Sequence, residues 1–130
     1  MKIILRISVG LLLVLIALFI FLSLLVPSII VKVAGALITR SSVSLYQYFK
    51  DIAISIDQLG NVVCSELFFI LLITCYSRNM FGNPDETISS VLGKNQRDNT
   101  LTLLGKLIVW VLDIVDENHS EKAIEDDEQN

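Results

Sequence analysis

The chain has 130 residues, of which 53% are hydrophobic. This composition excludes an intrinsically disordered protein, and the length allows one small folded unit plus an anchor. The net charge of -4 is uneven, because residues 116–130 hold seven acids and one lysine, which leaves +2 for the rest of the chain. No dense cluster of lysine and arginine is present, so a nucleic-acid partner is not predicted.

The first feature in chain order is an apolar run over residues 7–31 without any ionisable side chain, between Arg6 and Lys32. A helix of this length rises about 37 Å, which exceeds the roughly 30 Å hydrocarbon core of a bilayer. Residues 1–36 are therefore predicted to form an N-terminal transmembrane helix. Pro27 is expected to kink that helix or to end it early.

A cleaved signal peptide is the alternative for this segment. Basic residues precede the apolar run, and Ala34, Gly35 and Ala36 follow it as an acceptable cleavage pattern. The run is much longer than a signal-peptide core, and Lys32 separates it from the small residues. A retained anchor is the favoured interpretation.

Residues 37–51 are predicted to be a loop, followed by a second apolar segment over residues 52–76. Polar side chains interrupt this segment, and on a helix Asp57 and Asn61 share one face. They form a predicted polar membrane stripe with two further residues, so that the set is Asp57, Gln58, Asn61 and Glu66.

Three interpretations of the second segment remain open. It spans the membrane only within an assembly, because Asp57 and Glu66 each cost about 2.5–3.5 kcal/mol at the bilayer centre. It lies partly in the interface and dips into the membrane. Or it packs as an amphipathic helix in a small domain, where Asp57 merely fixes packing.

Polar residues return in the connector that follows. Asn83 is predicted to cap a short helix over residues 85–92, with Pro84 in its first turn and Gly93 at its end. A last helix is predicted from Asn99 or Thr100 to Val115, with an apolar stripe suited to docking on a membrane or on the second segment. Residues 116–130 are predicted to be an acidic tail that is frayed or weakly helical.

Three motifs occur together in this chain: Asp57-Gln58 with Asn61, the string PDETISS at residues 84–90, and His119 followed by Glu121 and Lys122. Over roughly residues 52–128 the sequence thereby resembles a family of small uncharacterised proteins common in bacteriophages and prophages. Relatives typically have a His-Cys pair where this chain has His119-Ser120. The resemblance implies a phage or prophage source and adds a motif of unknown role, made of Pro84, Asp85, Glu86, Thr87, Ser89, Ser90 and His119.

An enzyme is not predicted. Asp57, Asp85, Glu86 and His119 are residue types found in metal and acid–base sites, but their spacing matches no ligand motif. No catalytic residue, metal or cofactor is therefore assigned.

Together these features predict an all-α protein with an N-terminal transmembrane helix and a small helical membrane-associated module over residues 52–115. Its expected location is the bacterial inner membrane or a viral membrane derived from it. Its expected partners are the lipid bilayer and either further copies of itself or another membrane or virion protein. The leading functional hypothesis is a lysis-associated protein, holin-like or accessory, and the alternative is a virion membrane component or a superinfection-exclusion factor.

Overall fold

The computed structural model describes residues 2–40 and 42–128, and the regular secondary structure within them is helical. This confirms the all-α prediction for the described residues. The chain divides into two compact units, Met1–Phe49 and Lys50–Asn130. The helices in order are α1 (Lys2–Thr39), α2 (Ser42–Val63), α3 (Ser65–Leu72), α4 (Ile88–Arg97), α5 (Leu103–Val115) and α6 (His119–Glu128).

Helix α1 is long and apolar enough to cross a membrane. Its candidate span is Ile3–Thr39, in which an 18-residue stretch has a mean hydropathy of 3.2 and no buried residue. Pro27 does not end the helix, which continues to Thr39. A proline removes only its own backbone donor, and the apolar residues around it keep the rest of the helix favourable.

The end of α1 and the start of α2 form a helical hairpin. Arg40 adopts a left-handed φ of 52° at the reversal. Lys32 Nζ donates a hydrogen bond of 3.0 Å to Ser44 Oγ and lies 5.5 Å from the centre of the Tyr48 ring. Lys32 of α1 thus contacts two side chains of α2.

The predicted loop over residues 37–51 is wrong, because the chain is helical on both sides of this reversal. The sequence from Val43 to Asp51 contains neither glycine nor proline. Leu45, Tyr48 and Ile52 recur at helical spacing and extend the pattern of the second segment backwards.

The second apolar segment is broken rather than continuous. Helices α2 and α3 meet at Cys64 with a bend of 82°. The backbone bonds continue through the bend, from Cys64 N to Gly60 O and from Phe68 N to Cys64 O, both at 2.9 Å. The bend turns Phe68 into edge-to-face contact with Phe81, with ring centres 5.3 Å apart.

The core of the second unit joins α3, α4 and α5. Its buried residues are Leu72, Ile73, Leu92, Leu101 and Val109. Short antiparallel pairing holds the core together, since Thr74 N donates to Thr100 O at 2.8 Å and Thr102 N donates to Leu72 O at 2.9 Å. A Cβ atom on Gly105 would lie 2.2 Å from the Leu72 carbonyl oxygen, so α5 can approach α3 this closely only through a glycine.

Helix α4 begins three residues later than predicted and ends beyond Gly93. Its cap is Thr87, whose hydroxyl accepts from Ser90 N at 3.0 Å. Asn83 is not the cap, because its side-chain oxygen accepts from Asp85 N at 3.1 Å in the turn that precedes the helix. Helix α5, which was predicted as the last helix, also begins later than predicted, at Leu103 with Thr102 as cap, and ends at Val115 as predicted.

The C-terminal segment is more than an acidic tail. It contains α6, in which Ser120 is 0% exposed and Ile124 is 6% exposed. These two residues pack against α4 at Gly93, where a Cβ atom would meet both of them. Helix α6 agrees with the weakly helical form of the tail prediction, whereas the burial of Ser120 and Ile124 was not predicted.

Candidate functional site

Two side chains of α2 bind the segment that leads into α4. Asn61 is 0% exposed. Its Nδ2 atom donates to the carbonyl oxygens of Asn83 at 2.9 Å and Glu86 at 2.7 Å. Its Oδ1 atom accepts from Gly82 N at 3.0 Å, and Gly82 adopts a φ of 113° that favours glycine. Both donors of the amide and its acceptor are thus satisfied inside the protein.

Asp57 binds one turn earlier on the same face of α2. Its Oδ2 atom accepts from Ser89 Oγ at 2.8 Å and from Ser89 N at 3.3 Å. Ser89 lies in the first turn of α4, where backbone N–H groups lack helical partners and a carboxylate is favourable. We call these contacts the α2–α4 clasp, formed by Asp57, Asn61, Gly82, Asn83, Glu86 and Ser89.

Glu86 extends the clasp along α4. Its Oε1 atom accepts from Ser90 Oγ at 3.0 Å and from Lys94 Nζ at 2.7 Å. The Glu86 and Lys94 side chains are only 13% and 22% exposed. A charge-assisted bond that is shielded from water is stronger than a surface pair, so Glu86 fixes the first two turns of α4.

The other residues singled out in the sequence do not join this cluster. Gln58 is half-buried, whereas Glu66, Pro84 and Asp85 are exposed. His119 lies at the start of α6, where its Nδ1 atom is 3.3 Å from Asp116 Oδ2. In residues 2–40 and 42–128 no group of three or more metal-binding side chains comes together.

A second buried amide was not singled out in the sequence. Asn95 is 0% exposed, and its Nδ2 atom donates to the carbonyl oxygens of Asn79 at 2.9 Å and Val91 at 2.8 Å. Its Oδ1 atom accepts from Thr100 Oγ1 at 2.5 Å and from Ser77 Oγ. Asn95 fixes the irregular segment on the other side of α4, and no local pattern around it signals this role.

A cavity of about 450 Å³ lies beside α4, α5 and α6. Its charged lining mixes Arg97 with Asp113 and Glu121, and the remainder is Gly93, Gln96, Asn118 and Ile124. Opposite charges around one space do not select a cation or an anion. The clasp likewise directs its polar atoms at protein groups, so its chemistry is that of a structural lock.

No family model, no curated protein and no solved structure matches this chain. The resemblance to the phage and prophage family therefore stays a hypothesis that rests on the motif residues. In the structure, Asp57 and Asn61 contact the PDETISS segment directly. Residues that are far apart in the sequence signature thus form one joint between α2 and α4.

Replacing Asp57 by alanine is expected to lower the free energy of unfolding of the second unit by about 1–2 kcal/mol, as for loss of a helix-capping group. The two bonds to Ser89 disappear, and the first turn of α4 loses its carboxylate. Urea unfolding of the full chain in detergent, followed by circular dichroism, measures the change. Asp85→Ala is the control because Asp85 is exposed. Equal unfolding midpoints for the two variants would show that the clasp contributes no stability.

The start of α6 is expected to loosen in acid. Hydrogen bonds from Lys122 and then from His119 hold the pKa of Asp116 below its ordinary value of 3.8. A lowered pKa in the folded state stabilises the fold above pH 3.8, and this contribution disappears as the pH falls through the folded pKa. The same contact raises the pKa of Lys122 above 10.5, so the contribution of Lys122 disappears at the alkaline end.

Amide hydrogen exchange of α6 tests this dependence. Protection in the natural chain should fall as the pH drops below 3.8, whereas Asp116→Asn should show weaker protection that no longer depends on this titration. Because the Asp116 side chain is 52% exposed, solvent screens these contacts and the expected effect is local. Identical acid profiles for the two chains would contradict the assignment.

Proposed function

We propose that this chain is a small integral inner-membrane protein of phage or prophage origin that acts in the host membrane as a lysis-associated protein. Its working part is the folded module of residues 50–128, which α1 anchors to the bilayer. The hypothesis covers both a holin-like and an accessory form. The mode of action is assembly of copies within that membrane.

The observation that carries this proposal is the uncovered surface of α1. An 18-residue apolar stretch of the candidate span has no buried residue, and water is a poor solvent for so much apolar surface. Lipid satisfies such a helix, because all its backbone groups bond within the helix and its side chains meet acyl chains. The absence of charge over residues 7–31 agrees with this placement.

The clasp argues against a pore that is lined by the predicted polar stripe. A pore lined by the predicted polar stripe needs Asp57 and Asn61 to face water or another copy. Both side chains instead bind the segment before α4 and its first turn. Opening this joint would leave buried polar groups without partners, which costs about 1–3 kcal/mol for each group. The module therefore favours action as a folded unit.

The alternative is a virion membrane component or a superinfection-exclusion factor. A specific observation favours a folded, partner-binding module of this kind. Asn61 and Asn95 brace opposite sides of α4 with fully used amides, so the module has a defined surface. Such a surface suits the binding of another protein, in a virion component or an exclusion factor as well as in a lysis protein.

Induced expression in a bacterial host tests the proposal. The natural chain should resist alkaline carbonate extraction from inner membranes and should collapse the membrane potential reported by a voltage-sensitive dye. Phe19→Arg places a charge in the middle of the apolar run, where insertion costs about 2.5–3.5 kcal/mol, and should lose both properties. Phe19→Leu is the matched control.

Normal growth under strong expression, with the chain in the membrane, would exclude the lytic form. Resistance of those cells to a second infection would then support exclusion. Recovery of the chain in purified particles would support a virion component. Extraction of the natural chain by carbonate would overturn the membrane assignment itself.

A further inference from the structure

Helix α5 carries an apolar face that the fold does not use. We define the α5 outer face as seven large apolar side chains, each at least 42% exposed: Leu103, Leu104, Leu107, Trp110, Val111, Ile114 and Val115. The opposite side of the helix packs into the core through Gly105 and Val109. Patches larger than a few hundred Å² on a folded surface mark interaction sites.

The outer face is continuous and uncharged. At 3.6 residues per turn its members cover an arc of about 140° around α5. Lys106 is exposed at one edge of this arc, next to Trp110. Asp113 lies further toward the buried side, where it lines the cavities beside α4. No acid therefore lies within the face.

We infer that the α5 outer face lies in the headgroup region of a phospholipid bilayer, with the axis of α5 parallel to the membrane plane. The inference rests on the proposed function, because α1 holds the module at that bilayer. A helix of 13 residues is about 20 Å long, which is too short to cross the hydrocarbon core but suits the interface.

The charge pattern selects lipid as the occupant. A wide apolar arc bordered by a lysine is typical of interfacial helices, whose basic side chains extend to lipid phosphates. Trp110 is expected at the depth of the lipid headgroups, since its ring is apolar and its N–H group needs a polar partner. The exposed Leu71 adjoins the start of the face, because the Thr102 hydroxyl donates to the Leu71 carbonyl oxygen at 2.6 Å.

Trp110 is the single tryptophan of the chain and reports directly on this face. The full chain is reconstituted into phosphatidylglycerol–phosphatidylcholine vesicles, and its fluorescence is quenched either by acyl-brominated lipid or by aqueous iodide. We expect lipid brominated near the headgroup to remove roughly half of the emission and iodide to remove little. Leu107→Glu should reduce the lipid quenching about twofold, because it places a carboxylate in the face.

Met80→Glu is the matched control, since it introduces the same charge at an exposed position outside the face. It should leave the quenching of Trp110 unchanged. An equal loss in both variants would overturn the assignment to α5.

The outcomes separate this inference from the proposed function. If the chain floats with the vesicles but iodide quenches Trp110 and brominated lipid does not, the inference fails and the membrane assignment stands. If Trp110 is shielded from both quenchers and cross-linking captures dimers, a second copy covers the face and the inference is overturned. If the chain does not float with vesicles, the proposed function fails first and the inference fails with it.

Discussion

Replacing Gly93 by alanine is expected to lower the free energy of unfolding of the second unit by about 3 kcal/mol, at the upper end of ordinary overpacking. A Cβ atom at this position would lie 2.2 Å from the Ser120 carbonyl oxygen and 2.8 Å from its carbon. Both are backbone atoms of α6, so a side-chain rotation cannot relieve the clash. Helix α6 must move away from α4, which uncovers Ile124 and the buried Ser120.

Limited proteolysis and hydrogen exchange of the full chain in detergent measure this effect. Cleavage in the turn at residues 116–118 and exchange of the α6 amides should both accelerate. Gly35→Ala is the control, because nothing lies within 4 Å of a Cβ atom at that glycine of α1. Alanine there should be neutral or slightly favourable for the helix. Unchanged protection of α6 in Gly93→Ala would show that α6 does not depend on this contact.

Gly93 illustrates why helix ends were harder to predict than helix types. A glycine after a short polar helix commonly marks its end. Here the same glycine lies inside α4 because another helix passes against it, and that need arises only from tertiary packing. Asn99 carries the left-handed φ of 56° that follows α4, and an asparagine there is the local signal that would have placed the end correctly.

The helical class and the long apolar N-terminal helix were predictable because each depends on composition along a single segment. The loop assigned to residues 37–51 failed for a different reason. Its polar and aromatic residues obscured the helical period of α2, in which Leu45, Tyr48 and Ile52 recur on one face. The 82° bend at Cys64 was not predicted, because no proline marks it in the sequence. The bend accompanies the burial of Leu72 in the core that α3 shares with α5.

The sequence singled out Asp57 and Asn61 as candidate site residues, but it did not predict the groups that they bind. Asp57 and Asn61 share a helix face, as their spacing of four residues requires. Their partners lie more than twenty positions further along the chain, and no periodic pattern specifies which loop will meet them. The local sequence is the same whether Asp57 and Asn61 are buried against the protein or face lipid or water. Only the fold shows that they bind the segment before α4 and its first turn.

Replacing Asn61 by aspartate is expected to be the most damaging change of a single functional group in the clasp. The substitution keeps the size of the side chain and the acceptor for Gly82 N. It replaces the amide donor by a carboxylate oxygen that faces the carbonyl oxygens of Asn83 and Glu86, now 2.9 and 2.7 Å from Nδ2. Two acceptors lose their donor and a charge enters a fully buried position, so we expect a loss of about 3–5 kcal/mol.

The buried charge gives the Asn61→Asp prediction a pH signature. Protonation of the introduced carboxylate would restore one donor, so the lost stability should partly return as the pH is lowered toward the range where a buried carboxyl takes up a proton. Urea unfolding of the full chain at several pH values measures this recovery. Asn83→Asp is the matched control, because that side chain is exposed and only accepts a hydrogen bond from Asp85 N, which a carboxylate also does. Equal stability of the two variants at neutral pH would mean that Asn61 does not hold the segment before α4 to α2.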